Sequence, residues 1–237
     1  MQQSSLSRFL TGSASPRLYF RNLIANLSFC FLFILIAVAL YRPTYSFTAA
    51  EISWLDNPLH NPVGLWFFKI AFIVGGLWFL PSALSLRRMA AATSSWLGNL
   101  AGIFYILSGI GLVLVAFSPT RVSQVMHVVG AGLGFGGILL GITFTILVLL
   151  LKLHRQFDRK VASIMLVFHV PFLVVYLLTI LFAGIPLVVS LTQHVAWGDF
   201  IPDGWFVFEW LMFVTALYST LGTYAIFAYY SATTENE

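Results

Sequence analysis

An all-α, six-helix bundle embedded in a membrane is the fold class this sequence predicts. Three observations predict it. Mean hydropathy is +0.93. Only 8% of the residues are charged. The apolar residues gather into six continuous runs, each longer than the ~20 residues that cross ~30 Å of hydrocarbon. With no water in the bilayer core, backbone groups must be satisfied within the segment, so the runs are expected as helices. Transmembrane barrel strands would alternate over much shorter segments.

The expected spans are 22–41, 64–86, 96–117, 124–151, 161–189 and 204–230. With their connections they make residues 1–237 a single integral membrane domain, with a short polar segment over 1–21. That segment carries Arg8, Arg17 and Arg21 ahead of an apolar run ending near Ala37-Val38-Ala39, an order that also occurs in signal peptides. The run exceeds a signal-peptide core in length, and it reads as the first membrane helix. Pro171, Gly184 and Pro186 predict a kink, or an interfacial end, in the fifth span.

Basic residues give the orientation. One set of connections holds Arg8, Arg17, Arg21, Arg87, Arg88, Lys152, Arg155, Arg159 and Lys160, and the other holds Arg42 and Arg121. The positive-inside rule then puts both termini in the cytoplasm. The opposite face is expected to be acidic, with Glu51, Asp56, Asp199, Asp203 and Glu209. Lys69, just inside the second span, can snorkel to that face. Tyr41, Tyr45, Trp54, Trp66, Trp197 and Trp205 fall near the same ends, where amphipathic rings favour headgroups, and Trp96 marks an end on the other side. The net charge of +4 is thereby assigned to topology and anionic headgroups, not to nucleic acid. A single cysteine, Cys30, excludes a disulfide within the chain.

The fourth span carries Gly130, Gly134, Gly137 and Gly141 at spacings that place them on one helix face, with Gly132 and Gly136 nearly opposite. Gly98, Gly102 and Gly109 make a similar stripe on the third span. Small residues let helices approach closely. The two stripes predict tight packing of spans three and four as a hairpin, or alternatively a groove that admits a lipid chain.

His127 extends the first stripe to its outer end. An ionisable residue inside a span is a functional candidate. The alternative is a structural histidine bonded to a loop carbonyl, holding the turn Ser118-Pro119-Thr120. The first loop contributes Tyr45-Ser46, Ile52-Ser53-Trp54-Leu55-Asp56 and His60-Asn61-Pro62. Asp56 and His127 are both expected to face the outer leaflet, with a hydrogen-bonded link between the first loop and the fourth span as one expected geometry and Glu209 facing His127 as another. His169, near Pro171, reads as a packing histidine. The candidate lipid-binding or structural cluster is Ser53, Asp56, His127 and Glu209.

No catalytic residues, metal ligands or cofactor are assigned. HExxH and HxxxH spacings, a GxSxG elbow and a phosphate-binding loop do not occur in the sequence. Ser123 and His127 have the SxxxH spacing of some membrane hydrolases, with His60 and His194 as the remaining histidines expected on that side.

The order Tyr45-Ser46, Ile52-Ser53-Trp54-Leu55-Asp56, Asn61-Pro62, Gly75-Gly76 resembles the first loop and second span of the family called domain of unknown function 998. Gly109-Ile110-Gly111, Phe117-Ser118-Pro119, His127 and Ala131 resemble its third and fourth spans. The resemblance covers residues 45–140, and the last two spans match in hydropathy. That family is similar to the wider Frag/DRAM/Sfk group of six-span proteins. The resemblance implies a membrane protein without established chemistry, among relatives linked to autophagy, phospholipid distribution and anchoring of lipid kinases.

The expected function is a non-enzymatic membrane protein that binds lipid or modulates membranes, with membrane lipids as partners. The alternatives are an accessory subunit beside other membrane proteins, or a membrane-embedded lipid hydrolase or transferase.

Overall fold

A computed structural model describes the backbone of residues 4–47, 52–118, 124–155, 157–193 and 205–234. It describes the side chains of these residues except 124, 179–193, 205, 206, 208, 209 and 231–234. Glu209, Ser123 and His194 are thus outside the described side chains, as are Glu51, Asp199, Asp203, Arg121 and the turn residues Pro119 and Thr120.

The helices are α1 (Ser5–Leu10), α2 (Pro16–Leu40), α3 (Gly64–Ala91), α4 (Ser95–Phe117), α5 (Gln124–Ala131), α6 (Gly137–Arg155), α7 (Arg159–Gln193) and α8 (Trp205–Thr234). A 3₁₀ turn, Ile52–Asp56, lies between α2 and α3, and a π-helical turn, Gly132–Gly136, joins α5 to α6. Among the described residues six stretches are long and apolar enough to cross a membrane, α5 and α6 forming one of them. The chain is therefore a multi-pass, helical membrane protein.

The first span starts earlier than its hydropathy does. Ser15 caps α2 by accepting from Leu18 N at 3.4 Å, and Pro16 occupies the first turn, where a missing N–H costs nothing. Before it, α1 is capped by Ser4, and the chain turns away from its end at Gly12, whose φ of +75° suits glycine. The Tyr19 hydroxyl donates to Phe9 O at 2.6 Å, which fastens α1 to α2. The fifth span is one continuous helix through Pro171, Gly184 and Pro186, so the expected kink does not interrupt it.

Helix α3 lies between α2 and α4. Helix α4 packs on α6, α6 on α8, and α8 on α2, closing a ring of five spans. Helix α7 packs outside the ring, chiefly against α8. Its apolar stretch is only 22% buried, against 50% for α8. Leu166, Leu177, Leu32, Leu77 and Ile103 point outward, as lipid-facing residues do.

Glycine sets the closest approaches. A Cβ on Gly98 would lie 2.2 Å from Ala91 N, and one on Gly76 would lie 2.5 Å from Gly109 O. The stripe of Gly98, Gly102 and Gly109 thus faces α3, not the fourth span. The fourth span meets α4 through another set. A Cβ on Gly130 would lie 3.0 Å from Val115 N, on Gly134 3.3 Å from Leu112 N, on Gly137 2.7 Å from Phe104 O and on Gly141 2.8 Å from the Tyr105 ring. On α4 itself the tightest point of that crossing is Gly111, where a Cβ would lie 2.1 Å from Gly134 N. One helix serves two neighbours because residues 98, 102 and 109 and residue 111 lie on different faces at 100° per residue.

The core has two parts. One, around Tyr19, Leu86, Tyr105, Ile142, Phe172 and Tyr224, lies towards the chain termini. The other, around Ile34, Tyr45, Leu55, Phe68, Val115 and Phe213, lies towards the long loop. Between them is a small cavity of about 50 Å³ bordered by Asn26, Cys30, Gly75 and Ser108. Asn26 Nδ2 donates to Gly75 O at 3.2 Å there, so this buried amide is bonded rather than stranded.

Candidate functional site

The site is built on the loop between α2 and α3. Its two ends are clipped together: Arg42 N donates to His60 O at 2.7 Å, and His60 Nδ1 donates to Arg42 O at 2.9 Å. Asn61, fully buried, spans the space beneath. Its Nδ2 donates to Ala37 O at 3.1 Å and to Leu55 O at 2.8 Å. Ala37 is in the last turn of α2, where carbonyls lack helical partners. The Asn61 carbonyl accepts from Leu65 N at 3.0 Å, so the first turn of α3 starts on Asn61, with Pro62 following. One residue ends one span and starts the next.

The 3₁₀ turn follows from its pattern. Ile52 and Leu55, three residues apart, eclipse each other and are both buried, and Trp54 is exposed. The same turn buries Asp56, at 4% exposure. Lys69 Nζ lies 3.5 Å from Asp56 Oδ1 and 5.4 Å from the centre of the Trp66 ring. Neither carboxylate oxygen has a hydrogen-bond partner among the described residues. Burial pushes the Asp56 carboxyl up to about 6, against the opposing pull of Lys69.

His127 is on α5, at 8% exposure. Its Nδ1 lies 2.9 Å from Ser118 O, just past the end of α4. A carbonyl only accepts, so Nδ1 carries the proton and a neutral ring keeps its lone pair on Nε2. The ring therefore ties the start of the fourth span to the end of the third.

A cavity of about 360 Å³ opens between these elements. The 3₁₀ turn lines it with Ile52 and Ser53, α3 with Phe68 and Phe72, and α4 with Val115. Its remaining wall is His127, Val128 and Ala131 of α5, with Gly132 and Phe135 of the π turn. Glycines allow that turn, and Ser108 Oγ donates to Gly134 O at 2.7 Å, satisfying a carbonyl in its disturbed ladder. A Cβ on Gly132 or Gly136 would meet nothing within 4 Å.

Of the expected cluster, Ser53 and His127 share the cavity. Asp56 does not line it and is paired with Lys69, while His127 is bonded to Ser118. The reason is reach: the turn points Asp56 at α3, and the nearest acceptor for His127 is a carbonyl freed by the end of α4. The Glu209 side chain lies outside the described residues. His169 Nε2 lies 3.2 Å from Thr223 Oγ1, while Nδ1 has no partner among the described residues. Among the described residues no group of three or more His, Cys, Asp or Glu side chains could hold a metal.

Asn61, quoted in the sequence only as part of the loop pattern, is the site residue that the candidate cluster leaves out. An asparagine directly before a proline at the start of an apolar run is a helix-start signal. Its bridge to α2 has no local signature.

No curated protein and no solved structure matches the chain. A family model matches residues 24–198, from within α2 to beyond α7, well over half of the sequence. The chain belongs to the family described as "Protein of unknown function (DUF998)".

Proposed function

We propose that this protein binds membrane lipid, without catalysing its turnover, in the cavity between the long loop and the fourth span. The observation that carries this reading is the cavity itself. At about 360 Å³ it falls within the range of small-ligand sites. Its walls are aromatic and aliphatic, with Ser53 and His127 as polar groups. Asp56, on the same 3₁₀ turn as Ser53, stands outside the wall, and Glu209 falls in the sequence of the last span. The long loop faces the outer leaflet and both termini the cytoplasm, on the asymmetry of lysine and arginine. The same six-span pattern supports placing the family with the wider Frag/DRAM/Sfk group.

Native mass spectrometry of protein purified in mild detergent tests the reading. A single subunit carrying a defined lipid mass is expected, with that mass lost from a folded His127→Ala variant. An unchanged lipid complement in that variant overturns the assignment of the site. Discrete additional protein masses would transfer the assignment to an accessory subunit. Phospholipid turnover that vanishes with His127 would transfer it to a hydrolase or transferase.

A further inference from the structure

The chemistry of the cavity wall narrows the ligand, on the reading that lipid occupies it. His127 is more than nine-tenths buried, and its Nδ1–H is committed to the Ser118 carbonyl. The ring nitrogen left for a ligand is Nε2, which in a neutral imidazole accepts a hydrogen bond and donates none. A ligand head that satisfies it must bring a donor.

The described wall carries no Lys, Arg, Asp or Glu. Lys69, held by Asp56 of the 3₁₀ turn, stands outside the wall. With no cation among the described residues of the wall, a phosphate or carboxylate drawn inside would lose water uncompensated, and burying an unpaired charge is strongly unfavourable. The head is therefore uncharged.

The volume is at the small end for ligand sites, enough for one hydrocarbon chain among Phe68, Phe72 and Phe135. Val128, on the wall, is 61% exposed, and a Cβ on Gly132 would meet open space. The way in is thus lateral, from the bilayer.

We infer that the cavity takes one acyl chain of a neutral acylglycerol, whose free hydroxyl donates to Nε2 of His127.

The test uses the full-length protein, delipidated in mild detergent, with three probes of one chain length: 1-monooleoylglycerol, methyl oleate and oleate. Monooleoylglycerol should bind about tenfold tighter than methyl oleate, which lacks a donor, because the histidine acceptor would otherwise stay unpaired. It should also outbind oleate. Gly132→Leu should fill the space and abolish binding. Gly136→Leu, which also meets no neighbour but lies off the wall, should leave binding intact.

Equal binding of monooleoylglycerol and methyl oleate, both lost in Gly132→Leu, overturns the hydroxyl inference and leaves the lipid-cavity reading standing. A preference for oleate overturns the neutral head. Binding that is the same in both glycine variants overturns the cavity as the lipid site altogether. The comparison of probes on the wild-type protein decides the head chemistry even if a variant fails to fold.

Discussion

Asp56, in the 3₁₀ turn, and Lys69, in the second turn of α3, form an ion pair of 3.5 Å that is buried on the carboxylate side. The distance is long for a strong hydrogen bond, so the carboxylate is neutralised but poorly solvated. Its proton is held to about pH 6 instead of 3.8, chiefly because burial disfavours the charge. Between these values the folded protein keeps a proton that the unfolded chain has released. Stability therefore falls as pH rises from about 4 to about 6 and levels off above. Two units correspond to about 3 kcal/mol. Thermal unfolding in detergent across this range should show the fall, and Asp56→Asn should flatten it. A midpoint insensitive to pH in the wild type would show that Asp56 is not the titrating group.

The Asn61 bridge makes a sharper mutational prediction. Asn61→Ala removes two donors and strands the carbonyls of Ala37 and Leu55. Each unsatisfied buried group costs about 1–3 kcal/mol. Loss of more than about 2 kcal/mol is expected in denaturant titration, together with faster proteolysis of the loop over 41–63.

Glycine positions should separate by what a methyl group would meet. Gly111→Ala puts a Cβ 2.1 Å from Gly134 N, a backbone atom that cannot yield without parting α4 from the π turn. Gly136→Ala meets nothing, and alanine favours a helix over glycine by about 1 kcal/mol. Melting temperatures should drop for the first variant and hold or rise for the second.

Orientation is checked by single cysteines in a Cys30→Ala background. Leu59 is 70% exposed in the long loop, and Ser13 is exposed between α1 and α2. A membrane-impermeant maleimide applied to intact cells should label Leu59→Cys and spare Ser13→Cys until the membrane is opened. The reverse pattern would invert the topology.

Much of the fold is legible in the sequence because hydropathy is a local property. Six apolar runs announce six helices, and the spans at 64 and 96 start within a residue of α3 and α4. The first span is the instructive exception. Arg17 and Arg21 lower the local hydropathy, so the apolar run seems to begin at 22, yet Ser15-Pro16 already spells a cap and a first turn. Helix α1 has no apolar run at all and exists through its Ser4 cap and the Tyr19 bond to Phe9 O.

By itself, then, the sequence determined the solvent, the number of spans, the family and the residue types that gather near the long loop. Each of these rests on composition and on order along the chain. Tertiary structure alone decided the partners. Gly98, Gly102 and Gly109 turned to α3 because two helices compete for the faces of α4. Asp56 met Lys69 because the 3₁₀ turn aims it at the second span. Ser53 and His127, 74 positions apart in the numbering, came to one cavity because α4 packs on one side against α3, which follows the 3₁₀ turn, and on the other against the fourth span. Such pairings depend on helix rotation and crossing, which no local pattern of residues encodes.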